Sequence, residues 1–150
     1  NGTFIENLRS DGFVLQTPGS KKEIALTQED IRQFQMAKSA IAVGQKMLLR
    51  EAGRKASAIK HVYLAGGMGS FLNVRAAVAV GLLQKDFLPV AKAVGNTSLQ
   101  GAITYLQKQT KTETKKLEEI AKQIRVLSLA EMPGFEEDYI MHMALQENAM

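Results

Sequence analysis

The order of strand and helix signals predicts an α/β fold, a short and partly parallel sheet flanked by helices. Three observations carry this. A long helical pattern covers residues 28–52. The apolar run Ile59-Lys60-His61-Val62-Tyr63-Leu64-Ala65 passes directly into Gly66-Gly67-Met68-Gly69 and a further helix. A second glycine turn, Val94-Gly95-Asn96, again feeds a helix.

Residues 1–26 read as strands and turns. Phe13-Val14-Leu15-Gln16 is a short apolar strand, ended by Thr17-Pro18-Gly19-Ser20, where proline fixes φ and glycine permits the turn. Glu23-Ile24-Ala25-Leu26 is a second strand candidate. Thr27 then caps the long helix, Glu29 and Asp30 favour its positive end, and Gly53 stops it. Ile31, Phe34, Ala37, Ile41 and Leu48 fall on one expected apolar face.

The run 59–65 reads as a largely buried strand. A helix follows over 73–80 with Asn73 as its cap, and a loop around Asp86 to Pro89 leads to the second glycine turn. The next helix covers 97–106, with an apolar stripe of Leu99, Ala102, Ile103 and Leu106. Thr110 and Glu113 have capping-box spacing for a helix over 111–124. Leu117, Ile120, Ala121 and Ile124 share its apolar face, and Lys111, Lys115, Lys116 and Lys122 its solvated side. Arg125 to Leu129 reads as a strand, Met132-Pro133-Gly134 as a turn, and 135–144 as a short acidic helix.

With 150 residues, 45% of them hydrophobic and 23% charged, the chain is long and apolar enough to fold as one domain. Zero cysteine excludes disulfides, thiolate metal sites, cysteine-ligated clusters and a cysteine nucleophile within it. The lack of a disulfide framework points to the cytoplasm. No run approaches the roughly 20 apolar residues of a membrane span, and Asn1-Gly2-Thr3 does not open a signal peptide. With no initiator Met, the chain reads as a piece of a longer protein. The formal charge is +4, unevenly spread: residues 131–150 hold five acids and no Lys or Arg, leaving +9 on the rest. A basic body with an acidic tail suits an acidic protein partner; without a module signature, nucleic acid is not expected.

Few constellations could carry chemistry. The two histidines, His61 and His142, have no zinc spacing and support no hydrolytic triad. His61 reads as a satisfied strand histidine, and His142 as packing among Met141 and Met143. The seven methionines read as core filler, and Glu136-Glu137-Asp138 as a solvated helix start. The strongest feature is the strand followed by Gly66-Gly67-Met68-Gly69-Ser70, since glycines after a strand let a ligand approach the backbone. It is neither a Walker A loop nor a Rossmann fingerprint. The loop of Gly95, Asn96, Thr97 and Ser98 could line the same cleft at the ends of parallel strands, or simply cap its helix.

Taken in order, four blocks resemble the reductive activators of corrinoid proteins: Leu26 to Ile41, Val62 to Asn73 with Gly81-Leu82-Leu83, Val94 to Ala102, and Leu127-Ser128-Leu129 with Pro133-Gly134-Phe135 to Ile140. The resemblance covers residues 13–145. It implies a C-terminal lobe of the actin-like ATPase superfamily, which includes acetate and sugar kinases and heat-shock chaperones. The parent protein would couple ATP hydrolysis, with Mg, to reduction of a cobalt(II) corrinoid to cobalt(I). Its electrons would pass through a two-iron, two-sulfur cluster in a separate upstream ferredoxin-like domain.

By resemblance, Gly66, Gly67 and Gly69 let adenosine lie against the backbone, with Met68, Ser70, Asn73, Gly95 and Asn96 around it. Met68 stands where many relatives carry an aromatic. Ala37-Lys38 parallels an Ala-Lys pair on a chaperone helix, making Lys38 a ribose or phosphate contact; a solvated lysine is the alternative. The phosphate-loop lobe and catalytic residues would lie upstream of residue 1, so these residues alone would bind ATP weakly and not turn it over. The chain is then a single domain, 1–150, at the C-terminal end of a multidomain protein. Its implied partners are a corrinoid protein or its methyltransferase system, the rest of the parent chain, and a second copy in a homodimer. Two other readings remain: a non-catalytic protein-interaction domain and a lobe of an acyl or sugar kinase relative.

Overall fold

The computed structural model describes residues 8–9, 12–15, 24–108 and 110–145. The expected turn Thr17-Pro18-Gly19-Ser20, with Gln16, Glu23 and Glu147, lies outside the described residues. Strands β1 (Leu8–Arg9), β2 (Gly12–Leu15) and β3 (Ile24–Leu26) form an antiparallel sheet, with Phe13 opposite both Leu8 and Leu26. Helix α1 (Gln28–Glu51) follows directly. Its first turn carries a full capping box: Thr27 accepts from the Asp30 amide at 3.1 Å, and the Asp30 carboxylate accepts from the Thr27 amide at 2.9 Å.

The second sheet is a parallel pair, β4 (Val62–Ala65) and β5 (Ala91–Gly95), joined through α2 (Gly66–Ser70) and α3 (Val74–Ala79). This is the partly parallel sheet that the sequence predicts, although the sequence assigns no strand to 91–95 and reads Val94-Gly95-Asn96 as a glycine turn. Ala77, Val78 and Leu83 form its small core, with Leu64, Leu72, Val74 and Leu82 packed on it. Helices α4 (Thr97–Gln107), α5 (Lys111–Gln123) and α6 (Phe135–Met143) complete the chain, Asn96 capping α4 and Thr110 capping α5. No helix among the described residues is long and apolar enough to cross a membrane.

Helix α1 buries a different face from the expected one. Phe34, Ile41 and Leu48 are 41, 51 and 55% exposed. The buried residues are Lys38, Ser39, Ala42, Val43, Gly44 and Met47. The reason is α6, which packs on that side and offers backbone carbonyls to its polar groups. Lys38 Nζ donates to Ala144 O at 2.6 Å, and Ser39 Oγ donates to Tyr139 O. Tyr139 Oη donates back to Met36 O at 3.3 Å, and Lys46 pairs with Asp138. Val43 and Met47 are fully buried on the same helix, apolar burial of about 2 kcal/mol each.

Several expectations need correction. The strand expected over Arg125 to Leu129 is absent: 124–128 has no regular structure and Leu129–Glu131 is a 3-10 turn. Its residues pair with no strand edge, and Arg125 instead pairs with Glu51. Strand β4 is half-buried, Val62 and Leu64 turning inward while Tyr63 and Ala65 are exposed. His61 precedes that strand, is exposed, and stacks on Tyr63 with ring centroids 6.0 Å apart. Asp138 is half-buried and ion-paired, unlike the exposed Glu136 and Glu137. Met47 is core filler, but Met68 and Met141 are exposed. The apolar stripes of α4 and α5 are likewise exposed, because no described element covers them.

Candidate functional site

The parallel pairing of β4 and β5 brings the two glycine segments to one end of the sheet. Val62 stands opposite Ala91, Leu64 opposite Ala93, and Ala65 opposite Gly95. The step from Ala93 to Gly95 leaves Val94 as an extra residue, a bulge of the kind that re-aims a strand end. Gly66 and Gly95 both take positive φ, +90° and +73°, which lets each chain turn sharply out of its strand.

Gly66 to Ser70 form helix α2, not an open loop. The three glycines differ in what surrounds them. A Cβ on Gly66 or Gly67 would meet nothing within 4 Å, so this backbone is open to approach. A Cβ on Gly69 would stand 3.2 Å from the Leu64 carbonyl carbon, so Gly69 lets α2 lie close on β4.

Beside α2 runs an apolar groove of about 480 Å³. Met68, Phe71, Leu72, Asn73 and Val80 line it, and Phe34 of α1 closes one wall. Met68 is 87% and Phe71 91% exposed, an unusual outlay of apolar surface unless something covers it. The groove can hold a flat apolar body against an open backbone. Among the described residues no group of three His, Asp or Glu could hold a metal ion.

Of the expected site residues, Met68 and Asn73 border the groove, and Gly66, Gly67, Gly95 and Asn96 cluster at the adjoining strand ends. Asn73 Oδ1 accepts from the Ala76 amide at 3.0 Å, and Asn96 Oδ1 accepts from the Leu99 amide at 3.1 Å, so both carbonyl oxygens are committed to caps. The Ser70 side chain lies outside the described residues. Lys38 does not line this groove, nor is it solvated: it is 2% exposed and bonded to Ala144. Burial holds its ammonium below the usual lysine pKa. Sequence reasoning missed Phe34, placing it on the core-facing side, and gave Phe71 no role although it directly follows the glycine segment.

The parallel pair with its two glycine turns, backed by a long helix, is an α/β arrangement with open backbone at one end of the sheet. Residues 4–150 match the family described as the C-terminal domain of RACo, the ASKHA domain. The chain belongs to that family. It is similar to the corrinoid activation enzyme RamQ of Eubacterium limosum, 35% identical over 142 residues, which cover 92% of this chain and 23% of that protein. It is also similar to the solved structure of a reductive activator for corrinoid, iron–sulfur protein. That match has 33% identity and a TM-score of 0.75, covering 91% of this chain and 22% of that one. The chain thus spans about a quarter of the length of the relatives it matches.

Proposed function

We propose that this chain is the adenosine-binding lobe of an ATP-dependent reductive activator acting on a corrinoid protein. In this reading it is a single domain at the C-terminal end of a longer cytoplasmic polypeptide. The observation that carries it is the register of Ala65 with Gly95 beside the groove under Met68 and Phe71. An adenine ring would cover those exposed apolar side chains, and the ribose would lie against the open backbone of Gly66 and Gly67. The family of the chain and the names of its two relatives supply the rest: one is a corrinoid activation enzyme, the other a reductive activator.

ATP, bound with Mg, would supply the free energy that makes the low-potential reduction of cobalt(II) to cobalt(I) feasible. The residues here fit the nucleoside half of that ligand. The acidic residues that place metal and water belong, in this reading, to a facing lobe. With no cysteine in these 150 residues, a two-iron, two-sulfur cluster would in this reading be held by another part of the polypeptide. The test is calorimetry with Mg-ATP on the polypeptide that carries this chain. Gly67→Val should weaken binding at least tenfold, by putting a branched side chain where no atom now stands within 4 Å. Unchanged affinity would overturn the reading.

A protein-docking role has its own support and is compatible with nucleotide binding. Leu99 and Leu106 on α4, with Ile120 on α5 and Ile124 just beyond it, are all more than half exposed.

A further inference from the structure

The parallel pair of β4 and β5 leaves one face bare at the end away from its glycine turns. Val62 and Leu64 turn inward, while Tyr63 points the other way and is 62% exposed. His61, just before the strand, stacks on Tyr63 with ring centroids 6.0 Å apart and planes 13° from parallel. Lys92 of β5 stands directly opposite Tyr63 and is exposed with it. Parallel strands are ordinarily covered on both faces, so an aromatic pair left in water here marks a surface that something covers.

Basic residues surround this pair. The Val62 amide donates to Val90 O, and the 3-10 turns Ala56–Ala58 and Lys85–Phe87 touch. The starts of both strands and the segment leading into β4 therefore lie together. That end exposes Arg54, Lys55 and Lys60 as well as Lys92, and none of these four side chains has an ion-pair or hydrogen-bond partner among the described residues. Lys85 and Asp86, adjacent on one turn, offset each other, and Glu51 is held by Arg125. By contrast, Lys46 and Lys116 each pair with a nearby acid.

An aromatic centre within a basic rim has the anatomy of a protein-binding surface. The aromatic groups supply the contact that becomes buried, and the rim charges steer and select a partner of opposite sign. A single-stranded polynucleotide fits less well, because the His61 and Tyr63 rings face each other and those faces are withdrawn from base stacking.

We propose that this face docks an acidic surface of the corrinoid protein, with Tyr63 at the centre of the contact and Arg54, Lys55, Lys60 and Lys92 facing carboxylates around it. The proposal rests on the reading of the chain as part of an activator of a corrinoid protein, and it gives that partner a place on the fold.

The experiment is titration calorimetry, over a series of salt concentrations, of the polypeptide that carries this chain against the cobalt(II) form of the corrinoid protein from the same organism. Tyr63→Ala should weaken binding about tenfold or more. The combined Lys55→Glu, Lys60→Glu and Lys92→Glu variant should also weaken it and flatten its dependence on salt. The combined Lys108→Glu, Lys115→Glu and Lys122→Glu variant removes the same net charge around α5 and should bind like the parent. The first lysine variant should keep the parent melting temperature, because its side chains are exposed and unpaired. Unchanged affinity in Tyr63→Ala or in the first lysine variant, or an equal loss in the second, would overturn the proposal. A lowered melting temperature in the first lysine variant would assign the face to a contact within the polypeptide, and tighter binding to single-stranded RNA through the same residues would assign it to nucleic acid; either result overturns it. A parent polypeptide that binds no corrinoid protein defeats the activator reading itself, whereas binding that ignores these substitutions defeats the docking face alone.

Discussion

The Lys38 ammonium donates at 2.6 Å to the carbonyl of Ala144, 106 residues further along the chain. With Ser39 and Tyr139 beside it, this bond fastens the last helix to the first long one. A buried polar pair in this position fixes where α6 docks, at the cost of desolvating a charge.

That cost has a pH signature. Burial lowers the Lys38 pKa from 10.5, so the folded state gives up this proton at a lower pH than the unfolded chain. Below the folded-state pKa both states hold the proton and the penalty is fully present. As pH climbs from there towards 10.5, only the folded state loses it and stability rises. Urea midpoints across that window should climb for the parent chain, and Lys38→Met should lack this increment. Identical slopes would contradict the assignment.

Ser39→Ala removes the hydroxyl that the Tyr139 carbonyl accepts at a fully buried position. A loss of about 1 kcal/mol in equilibrium unfolding is expected. Tyr139→Phe, which removes only the 3.3 Å bond to Met36 O, should cost about 0.5 kcal/mol. The reverse order would place the weight of this contact on the wrong residue.

Thr27→Ala should destabilise the chain by about 1 kcal/mol through loss of the α1 cap. Its partner Asp30 has a lowered pKa, chiefly from the Thr27 hydroxyl and then the Thr27 amide. The stability this gives is present above the unfolded value of 3.8 and is lost as pH falls through the folded pKa. Acid titration of Asp30→Asn, followed by circular dichroism, should lack that step.

The glycines of α2 should separate folding from binding. Gly69→Ala presses a Cβ against the Leu64 backbone and should cost about 1–3 kcal/mol. Gly66→Ala, at a φ of +90°, should cost about 1–2 kcal/mol. Gly67→Ala meets open space within a helix and should leave thermal stability unchanged or raised by up to about 1 kcal/mol. A Gly67→Ala chain that unfolds would refute the open-backbone description.

Much of the site is legible in sequence because its signals are local. A strand entering Gly66-Gly67 and a second glycine at 95 name the two turns, and Asn73, Asn96 and Thr110 cap their helices as their positions imply. Strand β5 was hidden because Ala91 to Gly95 alternates weakly and is one strand of a two-stranded pair, defined by its partner β4. Arg125 to Leu129 is the converse: apolar residues of extended propensity with no edge to join.

The sequence by itself determined most of the helices and their caps, the strand before Gly66, and the order of blocks that places the chain in its family. It could not determine which side of α1 is buried. Helical periodicity marks Phe34, Ile41 and Leu48 as the face to cover, since side-chain hydrophobicity is all that a pattern weighs. Only the tertiary structure brings α6 carbonyls to Lys38 and Ser39, and those hydrogen bonds decide the packing by satisfying groups that would otherwise stay in water. The same contact leaves Phe34 free to wall the groove beside the glycines.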